Sequence, residues 1–169
     1  MSGGGVFMRV SIGRPGASAA NMRYITRPHS VERDGHELRT RHLPDHADGG
    51  RTFAERRATL IAYAEQREED ERDGGLRRGR PRTHYRLVLS CERRIGNERM
   101  HGLVDRYLAL QFPLARGVSV IHQDTGHTHA HVWLDARGAD GRKLHFDTRT
   151  YRRLDEAWAR VYGREFGLE

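Results

Sequence analysis

Apolar residues recur along the chain at two spacings, and these spacings predict a mixture of strands and helices. Runs rich in β-branched and aromatic residues predict the strands, and recurrence every three or four residues predicts the helices. The predicted strands are 6–12, 83–91, 117–122 and 129–134, with a further short strand at 144–147. The predicted helices are 18–25, 53–72, 98–110 and 154–166.

Turn-forming and polar residues separate these elements. Ser18 is the predicted N-cap of the first helix, which ends before Pro28. Residues 29–50 are polar and contain Asp-Gly steps, which predict mostly loop. We expect residues 1–5 to be flexible and residues 73–82, DGGLRRGRPR, to form a basic connecting loop.

The order of the predicted elements indicates the fold class. Strands that pair through hairpins but alternate with covering helices are typical of an α+β sandwich with an antiparallel or mixed sheet. A chain of 169 residues is long enough for one domain with a substantial core, so we expect a single domain over 1–169.

Composition excludes several classes of protein. No apolar run approaches the ~20 residues that span a bilayer, so membrane insertion is not expected. The glycine-rich start lacks the apolar core of a secretory signal, and we therefore expect a cytoplasmic location. Cys91 is the only cysteine, which excludes an intrachain disulfide and a cysteine-based zinc ribbon.

Charge points to a polyanionic partner. The formal net charge is +7, and Lys143 is the only lysine among the 30 basic residues. Arginine pairs well with phosphate and stacks on bases. Charge alone does not distinguish DNA, RNA and a membrane surface.

Histidines are concentrated in the segment 118–134, VSVIHQDTGHTHAHVWL. His129 and His131 are two residues apart, so on a strand they project from the same face. Pairing of this strand with the preceding one brings His122 close to them. Three imidazoles would then converge and leave metal positions open for water or substrate, which favours a functional metal site over a structural one.

Two further residues of the segment have predicted roles. Asp124 is placed to accept the outer N–H of one histidine ligand and fix its tautomer. His127 shares the face but lies in the turn, so we assign it a DNA-contacting or ligand-supporting role. A structural zinc site is the main alternative, although such sites usually fill four positions and often use cysteine.

The histidines do not identify the nucleophile, because a three-histidine metal site could also serve hydrolysis by water. No persuasive serine or cysteine nucleophile motif is present. Tyr24 lies near the end of the first predicted helix, between Arg23 and Arg27. A phenol is a weak nucleophile until positive charge or a nearby base favours the phenolate, and the flanking arginines would supply such charge.

Three segments resemble the motifs of plasmid mobilisation relaxases of the MobA/VirD-like group. Residues 122–134, HQDTGHTHAHVWL, resemble the third motif, which has the form His-x-Asp, a spacer, His-x-His and an apolar strand. Tyr24-Ile25-Thr26-Arg27 resembles the first motif, which carries the catalytic tyrosine. Leu89-Ser90 is similar to the second, DNA-contacting motif. Two features depart from the pattern: the spacer lacks a proline or asparagine, and Asp135 stands where asparagine is common.

The resemblance implies a fold and a reaction. The fold is a central antiparallel sheet flanked by helices, of the kind shared with rolling-circle initiators. His122, His129 and His131 would hold a divalent metal, Mn or Mg, although nitrogen ligands would also suit Zn, Co or Ni. Tyr24 would attack a phosphate of single-stranded origin-of-transfer DNA and form a 5′-phosphotyrosyl link, with Asp124 orienting a histidine or helping to deprotonate the tyrosine.

The same resemblance implies partners. Accessory relaxosome proteins and a coupling protein would act with the chain, and Ser90 and His127 would contact DNA or support the ligands. Seven arginines are predicted to contact DNA: Arg23, Arg27, Arg77, Arg78, Arg80, Arg82 and Arg86. The alternatives are a rolling-circle initiator or transposase, in which the tyrosine usually follows the histidines, and a non-catalytic, metal-stabilised DNA-binding module.

Overall fold

A computed structural model describes residues 6–14, 16–28, 38–74, 82–123 and 126–168, and within them it shows an α+β fold. The five strands are β1 (Phe7–Ile12), β2 (Leu38–Arg41), β3 (His84–Ser90), β4 (Gly117–His122) and β5 (His129–Asp135). The four helices described are α1 (Ser18–Ile25), α2 (Phe53–Gly74), α3 (Asn97–Gln111) and α4 (Thr148–Phe166), with a 3-10 turn at Asp45–Ala47.

The strands form one antiparallel sheet in the order β1-β3-β5-β4-β2. Strands β4 and β5 are a hairpin in the centre, in which His122 pairs with His129. Strand β3 pairs with the other side of β5, so that Ser90 also lies opposite His129. The central antiparallel sheet expected from the sequence is therefore confirmed.

Helices cover the two faces of the sheet differently. On one face α3 and α4 bury a large core that includes strand residues such as Met8, Leu87, Ile121 and Val132, together with Trp158 of α4. On the other face α1 and α2 share an apolar core with β2, β4 and β5, through residues such as Met22, Ile25, Leu38, Val120 and Trp133. The order is helix, sheet, helix. On the second face the apolar core includes no residue of β3 or β1 among the described residues, although Asn21 of α1 reaches His84 of β3 at 2.6 Å.

Side chains of α2 hold both ends of α1. The Glu68 carboxylate accepts the backbone N–H groups of Gly16 (2.9 Å) and Ser18 (3.0 Å) at the start of α1. At the other end, the Arg57 guanidinium donates to the carbonyl oxygens of Thr26 (3.1 Å) and Arg23 (3.3 Å). Each charge has the sign that stabilises that end of a helix dipole.

The prediction of Ser18 as the N-cap is wrong. The N-cap position is Ala17, and it provides no side-chain cap. Ser18 is fully buried in the first turn, and its hydroxyl has no hydrogen-bond partner among the described residues. The Glu68 carboxylate accepts the first N–H of the helix, that of Ser18, and so provides a cap from another element.

Strand β2 lies inside 29–50, where the sequence predicted mostly loop. Its four residues, LRTR, carry one buried apolar side chain, Leu38, and pair with β4 at the edge of the sheet. Four residues with one apolar position show no detectable alternation. Tertiary pairing with β4 therefore determined this element.

The predicted strand at 144–147 is also wrong. Only an isolated bridge between Arg137 and Lys143 lies near it.

Helix α4 begins at Thr148 instead of Leu154, because the Asp147 side chain accepts the N–H of Thr150 at 2.8 Å and caps the helix. The burial of its apolar face is as predicted, with Leu154, Ala157, Trp158 and Val161 in the core.

Some predicted features lie outside the described residues. These are the flexible start at 1–5 and the greater part of the basic loop, 75–81. Residues 73 and 74 belong to α2, so the loop begins later than predicted. Within the described ranges, none of the helices has the length and apolar character that crossing a bilayer requires.

Candidate active site

Three histidines gather on the hairpin in the centre of the sheet. The rings of His122 and His131 have centroids 4.3 Å apart, and the rings of His129 and His131 have centroids 5.1 Å apart. One nitrogen from each ring lies within 4.8 Å of the others. This spacing follows from the cross-strand pairing of His122 with His129 and the two-residue step to His131.

The environment of these rings suits a metal. His122 is buried, and its Nε2 lies 3.5 Å from the carbonyl oxygen of Ile25. Burial lowers the pKa of the His131 imidazole to about 3, with the neighbouring His122 and His129 adding to the effect. His131 is therefore neutral near pH 7, and the neutral imidazole is the form that ligates metals.

Backbone contacts orient the third ring. His129 Nδ1 lies 3.4 Å from the carbonyl oxygen of His127. A proton on Nδ1, donated to this carbonyl, leaves the lone pair of Nε2 for a metal, as is usual for histidine ligands. The three histidines predicted as ligands thus form a group that could hold a metal ion.

Tyr24 stands beside this group. Helix α1 presents its ring to solvent with 45% of the residue exposed. The ring centroid lies 6.1 Å from that of His131, in an edge-on arrangement. The guanidinium carbons of Arg27 and Arg86 lie 4.4 Å and 5.6 Å from the centroid of the tyrosine ring. The phenol is therefore flanked by two positive charges, one from Arg27 in the segment that follows α1 and one from Arg86 of β3.

The other predicted DNA-contacting arginines have different positions. Arg23 forms an exposed ion pair with Glu65 at 2.9 Å, on the side of α1 that faces α2. Arg82 is exposed just before β3. Arg77, Arg78 and Arg80 lie outside the described residues, as does Asp124. Of this set, the structure brings Arg27 and Arg86 to the tyrosine.

Ser90 and His127 lie near the histidines without joining the group of possible ligands. Ser90 is buried opposite His129, and its carbonyl oxygen accepts the indole N–H of Trp158 at 2.9 Å. His127 Nδ1 lies 3.0 Å from the carbonyl oxygen of Glu92. Both residues border the site, and their roles stay predictions.

Two polar residues that sequence reasoning treated as spacers support the hairpin. Gln123 Nε2 donates to the Ile95 carbonyl oxygen at 2.6 Å, and its Oε1 accepts from the Thr128 hydroxyl at 2.7 Å. The Thr128 hydroxyl oxygen also accepts the Ile95 N–H at 2.7 Å. These bonds tie the residues next to His122 and His129 to the segment after β3. In the sequence, only the position of Gln123 and Thr128 beside the histidines indicates this supporting role.

Asp135 has a structural position away from the histidines. Its carboxylate is fully buried and accepts from the Tyr63 hydroxyl at 2.6 Å, Arg67 Nε at 2.7 Å and the Arg137 N–H at 2.9 Å. Burial, together with the nearby Asp135 charge, raises the pKa of the Tyr63 hydroxyl. The aspartate that departs from the motif pattern therefore anchors α2 to the end of β5.

Fold and site together define a class: an α+β domain whose antiparallel sheet presents three histidines with metal-binding geometry. Residues 24–168 match the model of the relaxase family described as MobA/VirD2-like, nuclease domain, and the chain belongs to this family. Membership implies DNA as the substrate and nicking as the activity. No curated protein matches the chain.

Proposed function

We propose that the protein nicks single-stranded DNA at an origin of transfer, with Tyr24 as the nucleophile, for conjugative mobilisation. The observation that carries this proposal is the position of the Tyr24 ring, 6.1 Å from the ring of His131 and flanked by Arg27 and Arg86. Family membership supports the DNA substrate. Accessory relaxosome proteins and a coupling protein are the expected partners.

The proposed step exchanges one phosphodiester for another. The Tyr24 oxygen forms a bond to phosphorus as the bond from phosphorus to the 3′-oxygen breaks. The phenol loses a proton and the 3′-oxygen gains one, so the products are a 5′-phosphotyrosyl link and a free 3′-hydroxyl. Because no phosphate-ester bond is lost, the step is reversible and the strand can be rejoined.

Arg27 and Arg86 have a defined task in this proposal. Two guanidinium groups beside the ring stabilise the phenolate as its proton leaves, and they also attract the phosphate. A divalent metal held by His122, His129 and His131 would supply positive charge to the scissile phosphate. We propose Mn or Mg, with Zn, Co or Ni also compatible with nitrogen ligands. Asp124 is the proposed group that orients a ligand or receives the phenolic proton.

Covalent adduct formation tests the nucleophile. The protein is incubated with Mn and single-stranded oligonucleotides that tile its own origin DNA, and the adduct is mapped by mass spectrometry. We expect the DNA to be attached to Tyr24 and the adduct to be lost in Tyr24→Phe. The control is Tyr151→Phe, which should retain the adduct; Tyr151 lies on α4 and is 37% exposed. An adduct that persists in Tyr24→Phe contradicts the assignment.

Metal binding is measured separately from activity. Titration calorimetry with Mn should show one site in the wild type. We expect His129→Ala to weaken binding at least 10-fold, because one of three ligands is lost. His145→Ala, a change at an exposed histidine near α4, is the matched control and should bind as the wild type does. Equal affinity of His129→Ala and the wild type would contradict the proposed ligand set.

A further inference from the structure

One half of the sheet face that carries the histidines is not covered by the apolar core of α1 and α2. That core takes sheet residues only from β2, β4 and β5 among the described residues. The opposite face, in contrast, is covered from β1 to β4. Among the described residues, the half that this core leaves out lies on β3 and the edge strand β1, and α1 reaches β3 through contacts of Asn21 with His84 and of Tyr24 with Arg86.

Strand register places particular side chains on this half. Phe7 pairs with Ser90, which pairs with His129, so these three share one row across the sheet. In the next row Arg9 pairs with Val88, which pairs with His131. Directly paired residues point to the same face, and Met8, between them, faces the opposite core. Phe7 and Arg9 therefore lie two strands from the histidines, about 10 Å away.

The two residues offer an aromatic ring and a positive charge together. Phe7 is half-buried and Arg9 is exposed, with its guanidinium carbon 5.0 Å from the centroid of the phenylalanine ring. Arg86, which flanks Tyr24, lies on the same face next to Ser11 of β1. An aromatic ring with basic groups on an open sheet is the combination that binds bases by stacking and phosphates by charge.

We propose that single-stranded DNA leaves the histidine site across β3 and β1, with a base stacked near Phe7 and a phosphate on Arg9. The inference rests on the proposed function, since it places nucleotides next to the scissile phosphate on this path. Single-stranded DNA fits better than duplex, because the bases must be exposed to reach the ring. The path meets the tyrosine through Arg86 and the histidines through the half-buried Val88, which pairs with both Arg9 and His131.

Equilibrium binding tests the path. A labelled single-stranded oligonucleotide is titrated with the full chain in EDTA, which prevents cleavage, and anisotropy is recorded at several salt concentrations. We expect Phe7→Leu to bind about 10-fold more weakly, while Phe7→Tyr, which restores a ring, stays within about twofold of the wild type. Arg9→Gln should reduce the slope of log affinity against log salt by about 0.7.

Controls separate contact from folding. Arg160→Gln removes an exposed arginine from α4, in the helical layer on the other face, and should change neither affinity nor slope. Thermal melting identifies any variant that is unfolded, and Arg9 is exposed enough that its replacement leaves the core intact. Wild-type affinity in Phe7→Leu together with an unchanged salt slope in Arg9→Gln overturns the proposed path.

The adduct assay distinguishes this failure from failure of the proposed function. Normal adduct formation on Tyr24 combined with wild-type binding by both variants would reject the path alone. Weakened binding by the variants without any tyrosine adduct would reject the nicking reaction but keep the surface.

Discussion

At the scale of single residues, Asp135 shows how one buried carboxylate joins two elements. It lies at the end of β5 and receives hydrogen bonds from Tyr63 and Arg67 of α2. Arg67 in turn pairs with Glu71 at 2.7 Å, and Glu71 also pairs with Arg137 and Lys143, so that both carboxylates have cationic partners. Burial of these charges costs free energy, and removal of one partner leaves the others uncompensated.

We therefore expect Asp135→Asn to destabilise the protein by about 3 kcal/mol, because the buried Arg67 guanidinium loses one of its two buried counter-charges. Urea unfolding followed by circular dichroism measures the change. Asp105→Asn is the control, because Asp105 pairs with Arg39 at the surface and exposed pairs contribute at most about 1 kcal/mol. Equal losses of unfolding free energy in the two variants would show that the Asp135 network stabilises the protein no more than a surface ion pair does.

At the scale of elements, α1 depends on α2. Eight residues are too few for a helix to be stable by itself in water. Apolar packing of Met22 and Ile25 and the polar contacts of Glu68 and Arg57 provide the missing stability. Because α1 carries Tyr24, the position of the tyrosine relative to the histidines is set by α2 as well.

Arg57→Met should lower the rate of adduct formation by about 10-fold, because the last turn of α1 loses its cationic cap and Tyr24 is held less well. Mn affinity should not change, since the histidines lie on β4 and β5. Single-turnover kinetics and calorimetry measure the two quantities. Arg72→Met removes an exposed arginine from the same helix and should leave both unchanged. A normal rate in Arg57→Met would show that the cap does not position the tyrosine.

At the scale of the whole molecule, buried histidines make stability depend on pH. Burial lowers the pKa of His84 and of His101 to about 4. For His101 the nearby Arg39 lowers the pKa further, whereas Asp105 opposes the shift. Between about pH 6.5 and pH 4 the unfolded chain binds protons that the folded protein does not, so stability falls as the pH falls.

His101→Leu should make this acid destabilisation shallower, because neither ring nitrogen has a hydrogen-bond partner among the described residues and no bond is lost with the ring. The difference in unfolding free energy between pH 7 and pH 5 should shrink by on the order of 1–2 kcal/mol. Denaturant unfolding at the two pH values measures it. His145→Leu, at a side chain 81% exposed, should leave the pH dependence unchanged. The expectation is wrong if His101→Leu and the wild type lose stability in parallel.

Local patterns in the sequence were enough for the main elements and for the histidine group that could hold a metal ion. Strand periodicity put His129 and His131 on one face, and the short turn between two apolar strands brought His122 beside them, as the structure confirms. Both inferences involve neighbours within about ten residues, where backbone geometry limits the possible arrangements. Features with weak local patterns were not predicted: β2 exists because β4 pairs with it, and the predicted last helix begins earlier than expected because Asp147 caps it.

Long-range packing decided the rest. Tyr24 and His131 are far apart in sequence, and only the seating of α1 on the sheet by α2 brings their rings within 6.1 Å. Arg86 reaches the same tyrosine from β3, which periodicity alone does not predict. The apolar core under α1 and α2 leaves out β1 and β3 because of how the helices pack on the sheet, since an eight-residue α1 is too short to cover five strands. The sequence by itself determined which residues are chemically able to act; the tertiary structure determined which of them meet, because no local rule specifies contacts between distant elements.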